Sequence, residues 1–371
     1  MSFTEGCINI EVDVQVPGIT QVKTRSTRAG EIAQAFVGQS VNSTLPDTLI
    51  TSLYGLCPQA HLAAYRHALA AALHKQAEDD SPKVCYELIG EHLRSMAFDV
   101  VNAVGLTPDA NVRELGTVRS LLNRELGKVH PNYQALSSSL EQAVEYFVTG
   151  TSISGFAALN SLPDFEAWMM CGKTIVSRLF ASLWESVPCR RHTAIPMIDP
   201  GVDLLHAAAW FTPDFSMQTP MIGQQAFQTG AEARHVNHPL LAEISEQYGC
   251  GVRSAFAARL IDLVEMIAES QNTSRLIKSG QVAPNTGLAL VQCARGLLTY
   301  RVEVADNRIA NAKIVAPTEW NFATGSIAET MLSVVEYADE AQFRRDAAWI
   351  ISAIDACVPW QLKFIRQSTR N

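Results

Sequence analysis

From residue 8 to residue 16 apolar and polar side chains alternate: Ile8, Ile10, Val12, Val14 and Val16 fall on one side, Asn9, Glu11, Asp13 and Gln15 on the other. A period of two predicts a half-buried strand, ended by Pro17-Gly18, and Ile19 to Lys23 can return as its partner. A short helix near Glu31 to Val37 follows. From Pro58 the period becomes helical. A run rich in Ala and Leu reaches about Gln76, the polar stretch Ala77 to Pro82 interrupts it, and a second helix from Val84 to Val104 places Leu88, Ile89, Leu93, Met96, Val100 and Val101 on its apolar face. Two such helices joined by a short polar loop pack antiparallel. Further helices are predicted at about 111 to 127, 132 to 149, 164 to 185, 238 to 248, 251 to 270 and 326 to 354. Residues 187 to 230 break the rhythm with Pro, Gly, Gln and aromatic residues, and read as an irregular excursion packed on the helices with one helical piece near Val202 to Phe211. The period of two then returns. Leu298, Tyr300, Val302 and Val304 alternate with Thr299, Arg301 and Glu303, Asp306-Asn307 makes a turn, and Ile309 to Val315 comes back as a hairpin.

Strands at both ends with helices between predict an α+β, mainly α fold: a helical bundle with a small peripheral antiparallel sheet. No repeat, low-complexity tract or linker divides residues 1–371, which read as a single interwoven domain. At 371 residues and 47% hydrophobic side chains the chain can bury a sizeable core. Its net charge of −8, with Lys and Arg scattered, argues against nucleic acid and anionic membrane as partners. No basic segment followed by an apolar one opens the chain, and no stretch offers about 18 uninterrupted apolar residues, so a cytoplasmic location is expected. In that compartment the eight cysteines (7, 57, 85, 171, 189, 250, 293, 357) are expected as reduced thiols, and without a C-x-x-C pair a self-contained zinc site is not expected.

The chemistry centres on Leu53-Tyr54-Gly55-Leu56-Cys57-Pro58-Gln59-Ala60-His61. Pro58 suits the first position of a helix, which puts Cys57 at the N-cap beside unpaired N–H groups and the positive end of the dipole, a setting that favours thiolate. His61, one turn on, can reach back toward the sulfur. The plain alternative is that a free cysteine is a small buried hydrophobe that only packs. Cys7, Cys85, Cys171, Cys189 and Cys250 have no motif around them and read as packing residues. His235 and His238 have a spacing that suits a metal, but polarity ahead of the Pro239 helix start explains them as well.

Five stretches resemble the large subunits of nickel–iron hydrogenases, in register over about residues 8 to 360. That family's R-x-C-G-x-C-P-x-x-H is similar to Leu53–His61 with Tyr54 in place of the first cysteine. Its E-T-G-x-x-A-R resembles Gln228 to Arg234, and its E-A-P-R-G resembles Gln292-Cys293-Ala294-Arg295-Gly296. Its V-x-P-T-x-W-N resembles Val315 to Asn321, and its D-P-C-x-x-C resembles Asp355 to Trp360. In the family four thiolates hold nickel, and two of them bridge to an iron carrying cyanide and carbon monoxide. Here those positions read Tyr54, Cys57, Cys357 and Trp360, so two thiolates remain. Trp has no lone pair for a metal and Tyr is a hard donor, so neither a nickel site nor hydrogen turnover is expected, and the chain reads as a non-enzyme. Glu31 fits the register of the family's early glutamate poorly. No histidine follows Cys357, so the resemblance implies no removal of a C-terminal extension.

Within that family the pattern is similar to the HupK/HoxV-type accessory proteins. The resemblance implies an assembly scaffold that transiently receives iron with its cyanide and carbon monoxide ligands and passes it to the true large subunit. Partners would be that subunit and maturation proteins such as the small HypC-type iron carrier. Cys57 and Cys357 are the candidate metal ligands; Arg295 would donate to a cyanide nitrogen and His61 would orient the Cys57 sulfur. Cys57 matches a bridging position and Cys357 a nickel-only one, which leaves open whether both bind iron or Cys57 alone does. A salt bridge under the hairpin is the alternative for Arg295, and a structural role is the alternative for Arg234. A metal-free adaptor that binds or protects maturation intermediates is the competing function.

Overall fold

The structure is a computed structural model that describes residues 6–15, 18–27, 30–187 and 194–366. The first alternating stretch forms β1 (Ile8–Gln15), which pairs antiparallel with β2 (Gly18–Ser26), Val12 opposite Val22. After a 3-10 turn over Gly30–Phe36 come α1 (Leu45–Leu53), α2 (Pro58–Ala72) and α3 (Ser81–Arg94), the last running through a π-helical turn at Ser95–Asp99 into α4 (Val100–Ala103). The bundle continues with α5 (Arg113–Leu126), α6 (Tyr133–Val144), α7 (Ile153–Ala157), α8 (Leu162–Cys171) and α9 (Ile175–Ser186). Short helices α10 (Leu204–Ala208) and α11 (Ala231–Arg234) precede α12 (Pro239–Tyr248) and α13 (Val252–Ala268). Strands β3 (Ile277–Ala283), β4 (Thr286–Cys293), β5 (Gly296–Ala305) and β6 (Arg308–Val315) form an antiparallel sheet in chain order. Then follow α14 (Pro317–Phe322), α15 (Ile327–Ser333), α16 (Glu340–Ile354) and β7 (Trp360–Arg366). Strand β7 lies parallel to β1, giving a second sheet in the order β2-β1-β7.

The expected sheet is thus two sheets, and the larger is not peripheral. Every residue of β4 is buried, so the strand shows none of the alternation that betrays a half-exposed one. The expected hairpin is β5-β6, turned by Asp306 and Asn307, both at positive φ (49° and 56°) as a tight hairpin demands. The helix expected over 164–185 breaks at Gly172, where φ is +61°, and the one over 326–354 is interrupted at 334–339. Val16 and Cys189 lie outside the described residues, as do the side chain of Glu31 and residues 367–371. Among the described residues no helix is long and apolar enough to cross a membrane.

Helix α2 lies directly on β4. A Cβ at Gly287 would sit 1.9 Å from the Ala68 carbonyl oxygen and 2.6 Å from the Ala72 nitrogen, so only glycine permits this approach. With Ala68 and Ala72 over the start of β4, and His61 bonded to Tyr300, the register partner of Ala289, α2 runs antiparallel to the strand. Its first residues point toward the β4–β5 turn. That geometry brings Cys57 toward Arg295.

Replacing Gly287 by Ala should cost about 3 kcal/mol or more, because both opposing atoms are backbone and neither can swing aside. By contrast Gly116→Ala, in the interior of α5 with nothing within 4 Å of the added carbon, should stabilise by about 0.5–1 kcal/mol. Urea unfolding of the two variants separates the outcomes.

Candidate functional site

Pro58 does open α2 and Cys57 is its N-cap residue, but the helix donors do not serve the sulfur. The Gln59 and Ala60 N–H groups donate to the two carboxylate oxygens of Glu87, at 2.7 and 2.9 Å. The expectation of a helix-stabilised thiolate is therefore corrected: burial pushes the Cys57 thiol well above its ordinary range, helped by Cys293, Glu87 and Cys357 and opposed by Arg295. Burial also pushes Glu87 up to about 8, although the two backbone N–H groups favour its charged form. Nothing in local spacing marks Glu87. It reaches Cys57 from α3, 28 residues from Gln59, as one more polar position on a helix.

The opposite wall is built by the turn after α16. Asp355 takes the left-handed conformation, φ +64°, and redirects the chain through Cys357 into β7. The Cys357 sulfur lies 2.9 Å from the Thr318 hydroxyl. Arg295 sits in the two-residue β4–β5 turn, closed by the Cys293–Gly296 pair. Gly296 has φ +128° and a Cβ there would meet Thr229 at 2.6 Å, so this turn also requires glycine. The Arg295 guanidinium donates to Glu91 at 3.2 and 3.3 Å, and its Nε is 3.4 Å from Asp355, which Arg259 also approaches at 3.4 Å. Burial opposes the charge on Asp355, but Arg259 and Arg295 hold its carboxyl below the usual range.

Cys57, Cys357, Arg295, Asp355, Tyr54 and Trp360 line a single cavity of about 800 Å³. The structure therefore brings together both candidate thiols, the candidate cation and the two aromatic residues that stand where the resemblance places thiolates. Arg295 is at once ion-paired and in the cavity wall. His61 is buried behind the wall: its ring stacks on Tyr54 at 3.4 Å between centroids and its Nδ1 lies 2.8 Å from the Tyr300 hydroxyl. Among the described residues no three His, Cys, Asp or Glu side chains are grouped to hold a metal ion. The soft donors of this cavity are Cys57 and Cys357.

The remaining motif residues lock the site in place. Asn321 exchanges two hydrogen bonds with the Thr229 backbone, at 3.0 and 2.9 Å, tying the Gln228–Arg234 stretch to α14. Arg234 donates to Asp262 at 2.9 and 2.6 Å and to Gln292 and the carbonyls of Cys293 and Ala294. His235 and His92 reach the same Asp262 at 2.7 and 2.8 Å. His235 thus has a buried acid as its partner, while His238 stands at the N-terminal boundary of α12 without a side-chain bond to that helix. Cys85 and Cys293 are buried, but Cys171 and Cys250 are exposed, so for those two the packing expectation is corrected.

Glu87 gives the site a pH signature. Its carboxyl is raised from 4.5 to about 8 in the folded chain, so between those values the folded state holds a proton that the unfolded state has lost. That contribution to stability is present at low pH and declines as pH rises through the window. Glu87→Gln, which keeps an acceptor for the helix, should flatten the decline when unfolding midpoints are measured from pH 5 to 8.

No family model matches the chain. It is 27% identical over 373 residues to the hydrogenase expression/formation protein HupK of Bradyrhizobium diazoefficiens, covering 96% of both chains. It is 25% identical to HoxV of Cupriavidus necator (94% and 93% covered) and 28% identical to HupK of Azotobacter vinelandii (97% and 99%), both also named hydrogenase expression/formation proteins. Among solved structures it superposes on the nickel–iron–selenium hydrogenase of Desulfovibrio vulgaris Hildenborough with a TM-score of 0.61 at 12% identity, over 93% of this chain and 94% of that one. The NAD+-reducing nickel–iron hydrogenase gives 0.51 at 14% identity, over 92% of each. The chain thus has the fold of a nickel–iron hydrogenase large subunit and is similar, over nearly its whole length, to the HupK/HoxV-type hydrogenase expression/formation proteins.

Proposed function

We propose that this protein is a scaffold in hydrogenase maturation that receives iron already carrying cyanide and carbon monoxide, holds it through Cys57 and Cys357, and delivers it to the hydrogenase large subunit. The observation that carries this reading is the shared cavity: two thiols and a buried guanidinium face one space, while Tyr54 and Trp360 occupy the other two donor positions. Iron with strong-field diatomic ligands has most of its coordination filled before it arrives, so two sulfurs suffice for it. Each thiol loses its proton to solvent as its sulfur binds. Arg295, held by Glu91 and Asp355, is oriented for a cyanide nitrogen.

Holding a fragment with fewer donors than its final site is what a carrier needs. A destination with four thiolates binds it more completely, so transfer runs downhill. The protein acts before any hydrogen chemistry and turns over no substrate itself. His61, by stacking on Tyr54, keeps that aromatic wall in place rather than touching the cargo. A small iron carrier of the HypC type upstream and the large subunit downstream are the partners this role requires.

The test is isolation without air from cells that make the maturation machinery, followed by infrared spectroscopy in the window of metal-bound cyanide and carbon monoxide. Bands with stoichiometric iron, lost together in Cys57→Ala, are expected. A blank window in protein still bound to its maturation partners would make the chain a metal-free adaptor instead.

A further inference from the structure

We propose that Thr318 is a positioning residue for Cys357: its hydroxyl aims that sulfur into the cavity and weakens its donation to iron, so that the Cys357 bond is the first to open on transfer. The inference rests on the scaffold reading above and adds to it an order of release.

Thr318 is 2% exposed, and a hydroxyl removed from water must find a partner. Its partner is the Cys357 sulfur at 2.9 Å, a pair in which either atom can donate while the sulfur keeps its proton. Once the sulfur binds a metal it has no proton, and the hydroxyl alone can donate. The hydroxyl is held still for this task. Pro317 starts α14, the Ala316 N–H donates to Glu319 at 3.1 Å, and Asn321 is fixed by its two bonds to Thr229. Cys357, in contrast, sits in the short irregular link 355–359 between α16 and β7, which sets its direction less firmly than a regular element would. Thr318 therefore gives the Cys357 sulfur a rigid partner.

The two thiols differ in this respect. Among the described residues the Cys57 sulfur makes no hydrogen bond, so its full donor strength is available to a metal. Hydrogen bonds to a ligating sulfur draw electron density away from the metal and tune the site. Cys57 is then the firm holder and Cys357 the ligand that lets go.

Thr318→Val keeps the shape and removes the hydroxyl; Thr318→Ser keeps the hydroxyl. In iron-loaded protein the carbon monoxide band should move to lower wavenumber in the Val variant, because the sulfur then donates more, and return in the Ser variant. In metal-free protein the Val variant should alkylate with iodoacetamide at Cys357 roughly fivefold more slowly, with Cys57 unchanged and Ser restoring the rate, since the hydrogen bond that turns the Cys357 sulfur into the cavity contributes about 1 kcal/mol to that orientation. A Val variant with unshifted bands, or one in which both thiols react faster together as loosened packing would cause, overturns the role. Absence of bands from the unsubstituted protein would count against the scaffold, and the alkylation measurement would then decide Thr318 alone.

Discussion

The buried carboxylate of Asp262 is the point on which the site depends. It is wholly enclosed, and burial alone would neutralise it, yet Arg234, His235 and His92 hold it well below the usual carboxylate range. Those donors come from α11, the residue that follows it, and α3, while Asp262 itself belongs to α13. Arg234 then extends to Gln292 and to the carbonyls of Cys293 and Ala294, so the turn presenting Arg295 is fastened to the bundle through one charge. A charge of this kind stabilises little in net terms, but losing a partner costs about 3–5 kcal/mol, which makes the arrangement all-or-none. It fixes geometry more than it adds stability.

Around that hub the carboxylates that line the cavity are already paired, Asp99 with Arg94 and Asp355 with two arginines. Arg295 faces Glu91 and Asp355, and Asp355 faces Arg259 and accepts from Ser95. A site so compensated does not attract a bare cation strongly. On the scaffold reading proposed above, that balance suits a species whose own ligands neutralise most of the metal charge, with shape and a few directed hydrogen bonds left to discriminate it.

Much of the local architecture could be read along the chain, because periodicity and capping act over a few residues. The strand at Ile8, the helix opened by Pro58 and the hairpin turned at Asp306-Asn307 all stand where the pattern puts them. What escaped was settled by partners far away in sequence. Strand β4 is buried along its length and so carries no alternation. Glu87 looks like any helical glutamate until α3 packs beside α2, and it then takes the N–H groups that the local reading assigned to Cys57. The motifs were legible one at a time; that Asn321 clasps Thr229 and Arg234 clasps Gln292 belongs to three dimensions.

The parallel pairing of β7 with β1 joins Ile8 to Trp360 and Val14 to Arg366, about as long a sequence separation as this chain allows. Such a contact forms late, because the closure entropy of the intervening chain must be met before the strands can pair. During synthesis the wall bearing Cys57 can fold while the segment bearing Cys357 has yet to leave the ribosome. The cavity is therefore completed from its far end of the chain, and a nascent protein presents one thiol where the finished one presents two.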